Sequence, residues 1–139
     1  MRIAIINGPN LNLLGTREPS IYGVTTFEQF LSELRAQMPE VELEYIQSNV
    51  EGEIINALHS CMGRCKGVIL NAGGYTHTSI AIADAVAAIG LPVVEVHISN
   101  VFAREEYRKT SFIASKCIGS ITGLGLNGYR LAVQHLISL

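Results

Sequence analysis

No run of basic residues occurs anywhere in this chain of 139 residues, whose 10 Lys+Arg stand against 12 Asp+Glu for a net charge of −2. Such a surface cannot neutralise a row of phosphates, so no nucleic acid partner is expected. Charge is sparse, at 16% of residues, yet no apolar stretch approaches the roughly 20 residues that cross a bilayer. No membrane association is expected either. The opening Met1-Arg2-Ile3-Ala4-Ile5-Ile6-Asn7 is too short for the apolar core of a signal peptide, which leads to the expectation of a cytoplasmic protein.

Cysteine is scarce as well. Cys61, Cys65 and Cys117 are odd in number, and the first two stand four apart in a helical-looking segment, without the spacing of a redox or zinc motif. They read as plain thiols, buried or at the surface. His59, His77, His97 and His135 are scattered without ligand spacing, so no metal is expected. Linkers, repeats and low-complexity segments are also missing. With 48% hydrophobic residues, the length fits one domain over residues 1–139 with a continuous core.

What is present is an alternation of Val- and Ile-rich runs with segments of helical period. Ile3 to Ile6, Val41 to Ile46, Val68 to Leu70, Pro92 to Val96 and Cys117 to Ile121 read as strands. Capping boxes, Thr25 with Glu28 and Ser48 with Glu51, mark helix starts, and Thr78 or Ser79 precedes Ile80-Ala81-Ile82-Ala83. Pro39, Gly63 or Gly67, and Gly90 with Pro92 mark the stops, and a last helix runs from about Leu126 to the C-terminus. Continuous apolar strands separated by helices indicate a parallel sheet covered on both faces. The expected fold is α/β: a flavodoxin-like doubly wound domain with five parallel strands in the order 2-1-3-4-5. Its ligand crevice would lie beyond the carboxyl ends of strands one and three, where the winding reverses.

Polar residues gather at those ends. Asn7 and Asn10 follow the first strand, Asn71 with Gly73-Gly74-Tyr75-Thr76-His77 the third, and His97-Ile98-Ser99-Asn100 the fourth. After the first strand, Asn7 to Gly15 leads into Arg17-Glu18-Pro19-Ser20-Ile21-Tyr22-Gly23, a connection long enough to be a lid or binding loop. Pro9, Gly15, Pro19 and Gly23 keep it from being helix or strand throughout. Tyr22 would be a weak base at neutral pH, since a free phenol titrates near pH ~10. One guanidinium about 4 Å away, at an effective dielectric of about 20, contributes roughly 4 kcal/mol, or about three pKa units, before desolvation opposes it. Arg17 could supply that charge.

Glu95 and His97 stand two apart at a strand end, hence on one face, where a carboxylate can orient an imidazole and favour its protonated form as a general acid requires. Arg104 and Arg108 are four apart in Arg104-Glu105-Glu106-Tyr107-Arg108-Lys109, a helical turn or two whose arginines would suit an anionic or polyhydroxylated ligand. Asp84, amid Ala and Ile, reads as exposed or paired across an interface. Gly123-Leu124-Gly125-Leu126-Asn127-Gly128 matches the dinucleotide fingerprint, but only Tyr129 to Leu139 follow, with no further strand and no acidic residue to hold a ribose. It reads as glycine for helix entry and close backbone approach.

Taken together, Asn7-Gly8-Pro9-Asn10-Leu11-Asn12, Arg17-Glu18-Pro19 with Tyr22-Gly23, Asn71-Ala72-Gly73 with Thr76-His77-Thr78-Ser79, and Glu95-Val96-His97-Ile98-Ser99-Asn100 with Arg104-Glu105 resemble type II 3-dehydroquinase across essentially the whole chain. The resemblance implies the reversible anti dehydration of 3-dehydroquinate to 3-dehydroshikimate through an enolate in the shikimate pathway, without metal, Schiff base or cofactor. It also implies residue roles. Tyr22 would be the base, with Arg17 lowering its pKa, and Asn10 would hold a water or polar contact at the developing enolate oxygen. His97 would protonate the departing hydroxyl, and Glu95 would orient His97. Asn71 with the Ile98 and Ser99 backbone would grip the substrate carboxylate, while His77 and Arg108 would hold ring hydroxyls.

The family further implies a homo-oligomer, a dodecamer built from trimers, with Asp84 supplied by a neighbouring subunit. Val50, Phe102 and Ala114-Ser115 depart from the family's usual residues, and none of them is in an expected catalytic position. A different class of function stays open on the residues alone: a non-catalytic module binding a phosphorylated or nucleotide ligand through Gly73-Gly74 and the following helix start.

Overall fold

Every strand of this protein runs in the same direction, in one sheet of five strands ordered β2-β1-β3-β4-β5. The structure, a computed structural model, describes residues 1–16, 18, 20 and 23–139. The strands are β1 (Arg2–Asn7), β2 (Glu42–Gln47), β3 (Gly67–Asn71), β4 (Val93–His97) and β5 (Gly119–Thr122). Among the described residues the α-helices are α1 (Phe27–Gln37), α2 (Glu51–Ser60), α3 (Ile80–Ala88) and α4 (Asn127–Ser138). The expected doubly wound, flavodoxin-like arrangement is the one observed.

Side-chain alternation explains the two cores. Ile3, Ile5, Ile69, Val94 and Val96 point to one face, against Phe27, Phe30, Leu31 and Leu34 of α1 and Tyr129, Ala132, Val133 and Leu136 of α4. Both helices bury positions spaced i, i+3, i+4 and i+7, which is one stripe of a 3.6-residue helix. Ala4, Ile6, Val68, Leu70 and Val93 point to the other face, against Ile54, Ala57 and Leu58 of α2 and Ile82, Ala83, Ala85 and Val86 of α3. Since helices cover both sides, the inner strands are apolar without a polar alternation.

Several boundaries differ from the sequence expectations for local reasons. α1 is capped by Thr26 with Gln29, one residue later than Thr25 with Glu28: Thr26 Oγ1 accepts from the Gln29 amide at 3.2 Å and Gln29 Oε1 accepts from the Thr26 amide at 3.0 Å. Ser48 does not form a box with Glu51. Its hydroxyl accepts from the Val50 amide at 3.0 Å and donates to Glu53, and Val50 is the cap residue. Ser79 caps α3 as expected, accepting from Ile82 at 2.9 Å. β5 begins two residues later than Cys117, because the Lys116 and Cys117 amides turn back onto the Ile113 and Ala114 carbonyls.

Two glycines bring the loops after β1 and β3 into contact. A Cβ on Gly8 would lie 2.5 Å from the Ala72 carbonyl oxygen, and one on Gly73, whose φ is +60°, would lie 3.1 Å from the Pro9 carbonyl oxygen. Only glycine permits that approach, so the two loops beside the reversal of winding form one wall. Gly123 and Gly125 donate their amides to the carbonyls of His97 and Ile98, at 3.2 and 3.0 Å. The glycine-rich run is thus backbone packing at the end of β4, as its sequence context indicated.

Candidate functional site

A cavity opens beyond the carboxyl ends of β1, β3 and β4. Its position is the crevice beside the topological switch point, where α/β sheets of this kind bind ligands. Pro9, Asn10 and Leu11 line it from the first loop, Asn71, Gly73, Gly74 and His77 from the third strand and its turn, and His97, Ile98, Ser99, Val101, Arg104 and Arg108 from the fourth. Of the expected site residues, the cavity therefore collects Asn10, Asn71, His77, His97, Ile98, Ser99 and Arg108. A second cavity behind it shares His97 and Arg108 and adds Glu95.

Arg17 and Tyr22 lie outside the described residues. Asp84 is exposed on α3 and does not line the cavity of its own chain.

His97 occupies the last position of β4 and Glu95 the alternate position before it, so both project from the same face. His97 Nε2 lies 3.3 Å from Glu95 Oε2, and both side chains are buried. Burial alone would raise the Glu95 carboxyl. Hydrogen bonds from His97, Ser111 and Ser120, together with the imidazole's charge, outweigh it and leave the carboxyl below its ordinary value. Ionised Glu95 can only accept, which assigns a proton to Nε2 and leaves Nδ1 as the ring nitrogen not engaged by the carboxylate.

His77 follows β3 in a 3-10 turn, Gly73–His77, with its ring centroid 6.5 Å from that of His97. Its Nδ1 lies 2.7 Å from the Thr110 carbonyl oxygen. A carbonyl accepts only, so Nδ1 carries the hydrogen and Nε2 is an acceptor in the neutral ring. The Phe112 amide also donates to the Thr76 carbonyl, at 2.9 Å. Those two bonds fasten the connection between β4 and β5 onto the turn that carries His77.

Asn71 is buried and already committed on one side. Its Nδ2 donates to Tyr129 Oη at 2.9 Å, Tyr129 Oη donates to Asn7 Oδ1 at 2.8 Å, and Asn71 Oδ1 accepts from the Gly73 amide at 3.1 Å. Burial pushes the Tyr129 phenol above its ordinary range, so it serves as a neutral donor. An amide has two donor hydrogens, and Asn71 keeps the second for the cavity it lines.

Asn10 adopts a left-handed conformation with φ 69°, and its amide donates to Asn49 Oδ1 at 3.0 Å. Asparagine tolerates that conformation better than most residues. Guanidinium charge comes from the β4–β5 connection. Arg104 Nη1 donates to Ser99 Oγ at 3.2 Å and its Nη2 lies 3.9 Å from Glu18 Oε2, while Arg108 pairs with Glu105 and covers the Tyr107 ring at 5.1 Å. Arg108, and then Tyr107, hold the Glu105 carboxyl below its usual value. The 3-10 turn Glu106–Lys109 carries out the helical turn expected for this charged segment.

Sequence reasoning missed Tyr129, Ser111 and Ser120. A tyrosine on the apolar stripe of α4 was the available signal, since a buried phenol needs a partner. The serines gave none, because their acceptor, Glu95, lies 16 and 25 residues back along the chain. Among the described residues no group of three or more His, Cys, Asp or Glu could hold a metal ion, and no helix is long and apolar enough to cross a membrane.

The geometry can protonate a leaving group from His97, hold an anionic group at Asn71 and the start of the β4 loop, and orient hydroxyls through His77 and Arg108. Comparisons with known proteins point the same way. The family model described as dehydroquinase class II matches residues 1–137. A 3-dehydroquinate dehydratase from an Exiguobacterium species is 59% identical, over 99% of this chain and 94% of its own length. Another from Campylobacter jejuni is 50% identical, over 100% of this chain and 89% of that protein. The crystal structure of the type II dehydroquinase from Butyrivibrio crossotus superposes with a TM-score of 0.95 at 42% identity, covering 99% of this chain and 97% of that one.

Proposed function

Because the chain belongs to the class II dehydroquinase family, we propose that it is a hydro-lyase that dehydrates 3-dehydroquinate reversibly to 3-dehydroshikimate in the shikimate pathway. The observation that carries the reading is the buried Glu95–His97 pair at 3.3 Å, beside a cavity that also presents His77, Asn71 and Arg108.

In this reaction Tyr22, as a phenolate favoured by the charge of Arg17, removes a proton next to the ketone, and the carbonyl oxygen takes up the charge as an enolate with Asn10 at hand. His97 gives its proton to the departing hydroxyl, which leaves as water. Tyr22 ends protonated and His97 neutral, so moving one proton from phenol to imidazole resets the site. Base and acid work from opposite faces of the ring, as an anti elimination demands. Glu95 keeps His97 oriented, Asn71 and the Ile98 and Ser99 backbone grip the substrate carboxylate, and His77 and Arg108 hold the ring hydroxyls. The adjacent ketone acidifies the abstracted proton, so a modestly activated phenolate is a sufficient base. No cofactor takes part.

The same reading gives residues 1–139 as a single catalytic domain and the cytoplasm as its location. It also gives a dodecamer built from trimers. Support for assembly comes from α3, whose outward face shows Ile80, Ala81, Asp84, Ala87 and Ala88, apolar apart from the one carboxylate. An isolated acid on such a face is suited to reach a neighbour's cavity, and Asp84 is proposed to complete the substrate site there.

Offering 3-dehydroquinate to the purified protein tests the reading. Growth of the ultraviolet absorbance of a conjugated enone is expected, together with its loss in Tyr22→Phe at unchanged fold and oligomer. Binding without turnover would instead indicate the non-catalytic module.

A further inference from the structure

We infer that Ser111 is a positioning residue for His97, acting through Glu95, with Ser120 as a second hold on the same carboxylate. The inference rests on the dehydratase reading and deepens it: beyond donating to Glu95, the two serines hold His97 in place.

The backbone fixes the direction of the Ser111 hydroxyl. Its oxygen accepts from the amides of Ile113 and Ala114, at 3.2 and 3.0 Å. Amides only donate, and a hydroxyl has two lone pairs and one proton. With both lone pairs occupied, the proton is left for Glu95 Oε2, 2.6 Å away. Unlike an exposed serine, Ser111 has no second choice of acceptor that keeps its two amides paired.

Ser120 approaches from the other side. It lies on β5, where the register sets it beside Glu95 of β4, and its hydroxyl donates to Oε1 at 2.8 Å. The Glu95 carboxylate thus has Ser120 on one oxygen and both Ser111 and His97 Nε2 on the other. Such a set of contacts prevents rotation about the terminal carboxyl bond, and the carboxyl plane in turn fixes the imidazole edge. The partners that orient metal-ligating histidines and carboxylates are worth about 10–100-fold in affinity or activity, and the hydroxyls behind the Glu95–His97 pair stand in the analogous place.

The hydroxyls also moderate charge. Each donor to Glu95 draws on the negative charge that would otherwise hold the His97 proton, and a looser hold makes His97 a better acid for the departing hydroxyl. Among the described residues, the other groups near this pair are His77 from the turn after β3, Arg104 and Arg108 from the β4–β5 connection, Lys109 at the cavity behind, and the Cys117 thiol near Glu95. All of them are retained when a serine is replaced, so a change in His97 reports on the serine.

The test uses Ser111→Ala, Ser111→Thr and Ser120→Ala in the full chain. His97 is titrated by ¹⁵N-resolved NMR without substrate, and kcat and KM are measured with 3-dehydroquinate. In Ser111→Ala the His97 titration is expected to move up by about half a pH unit, with kcat down about tenfold and KM within about twofold. Ser111→Thr, which retains the hydroxyl, is expected to behave as the parent, and Ser120→Ala to show a smaller change in the same direction. An unmoved His97 titration in folded Ser111→Ala overturns the inference. Should that variant fail to fold, Ser111→Cys takes its place, because a thiol keeps a weak acceptor for the two amides while donating weakly, and the same upward shift decides. The functional reading is judged separately: a parent chain that never turns over 3-dehydroquinate refutes it, whereas the NMR shift decides the role of Ser111.

Discussion

Tyr129, two residues after α4 begins, bridges Asn7 and Asn71, which face each other across the β1–β3 ladder. One phenol thus ties the first strand, the third strand and the last helix together beneath the floor of the cavity. Tyr129→Phe leaves Asn7 Oδ1 and Asn71 Nδ2 without their shared partner in a buried place, at a cost of about 1–3 kcal/mol. Thermal unfolding should show a lower midpoint, and KM should rise more than kcat falls, because Asn71 loses its anchor. An unchanged midpoint and KM would show the bridge to be idle.

A buried hydroxyl elsewhere argues the other way. Thr76 Oγ1 is fully buried and has no hydrogen-bond partner among the described residues. Replacing it with a methyl of the same shape removes a desolvated polar atom, so Thr76→Val should stabilise by about 1 kcal/mol, roughly 3–5 °C in Tm. Differential scanning calorimetry would read this directly, and a fall in Tm would mean that the hydroxyl is satisfied in solution.

Glu95 makes a prediction about acid. Its folded value is lowered from 4.5, so the stability it contributes is present above the unfolded value and is lost as pH falls through the folded one. Glu44 adds to the same window, its carboxyl being lowered chiefly by its hydrogen bonds with Arg64. Urea midpoints measured from pH 6 down to pH 3 should fall less steeply in Glu95→Gln than in the parent. Parallel curves would deny Glu95 its depressed value.

The thiols should be inert in the folded chain. Burial pushes both Cys61 and Cys117 up to about 12, and Cys65 is buried beside Cys61. The thiolate is the reactive form. Ellman's reagent at pH 8 should label the folded protein slowly and reach three thiols only after denaturation. Fast labelling of the folded protein would contradict the packing around α2 and the approach to β5.

Much of this architecture is legible in the amino-acid sequence. Ile3 to Ile6 and Val68 to Leu70 are strands because nothing polar interrupts them, and helices on both faces follow from that. Boundaries slipped where neighbours compete: Thr25 and Thr26 can both cap, and Glu28 and Gln29 can both answer. The reciprocal bonds between the Thr26 and Gln29 side chains and each other's backbone amides chose between them. His97, His77 and Asn71 were legible as site residues because each sits at the carboxyl end of a strand or just past it, where the winding rule places ligands.

The pairings of Tyr129, Ser111 and Ser120 were not legible. Their partners lie 58, 16 and 25 residues away along the chain, and only the folded sheet brings them together. Local patterns carry no record of such pairings.

The most direct test of the central claim follows the enone absorbance when 3-dehydroquinate is mixed with the parent chain and with His97→Ala, whose circular dichroism should match the parent's. The account predicts steady turnover by the parent and a loss in kcat of at least about a hundredfold in the variant, the scale of a lost general acid. Turnover undiminished in His97→Ala, or none in the parent, would contradict it.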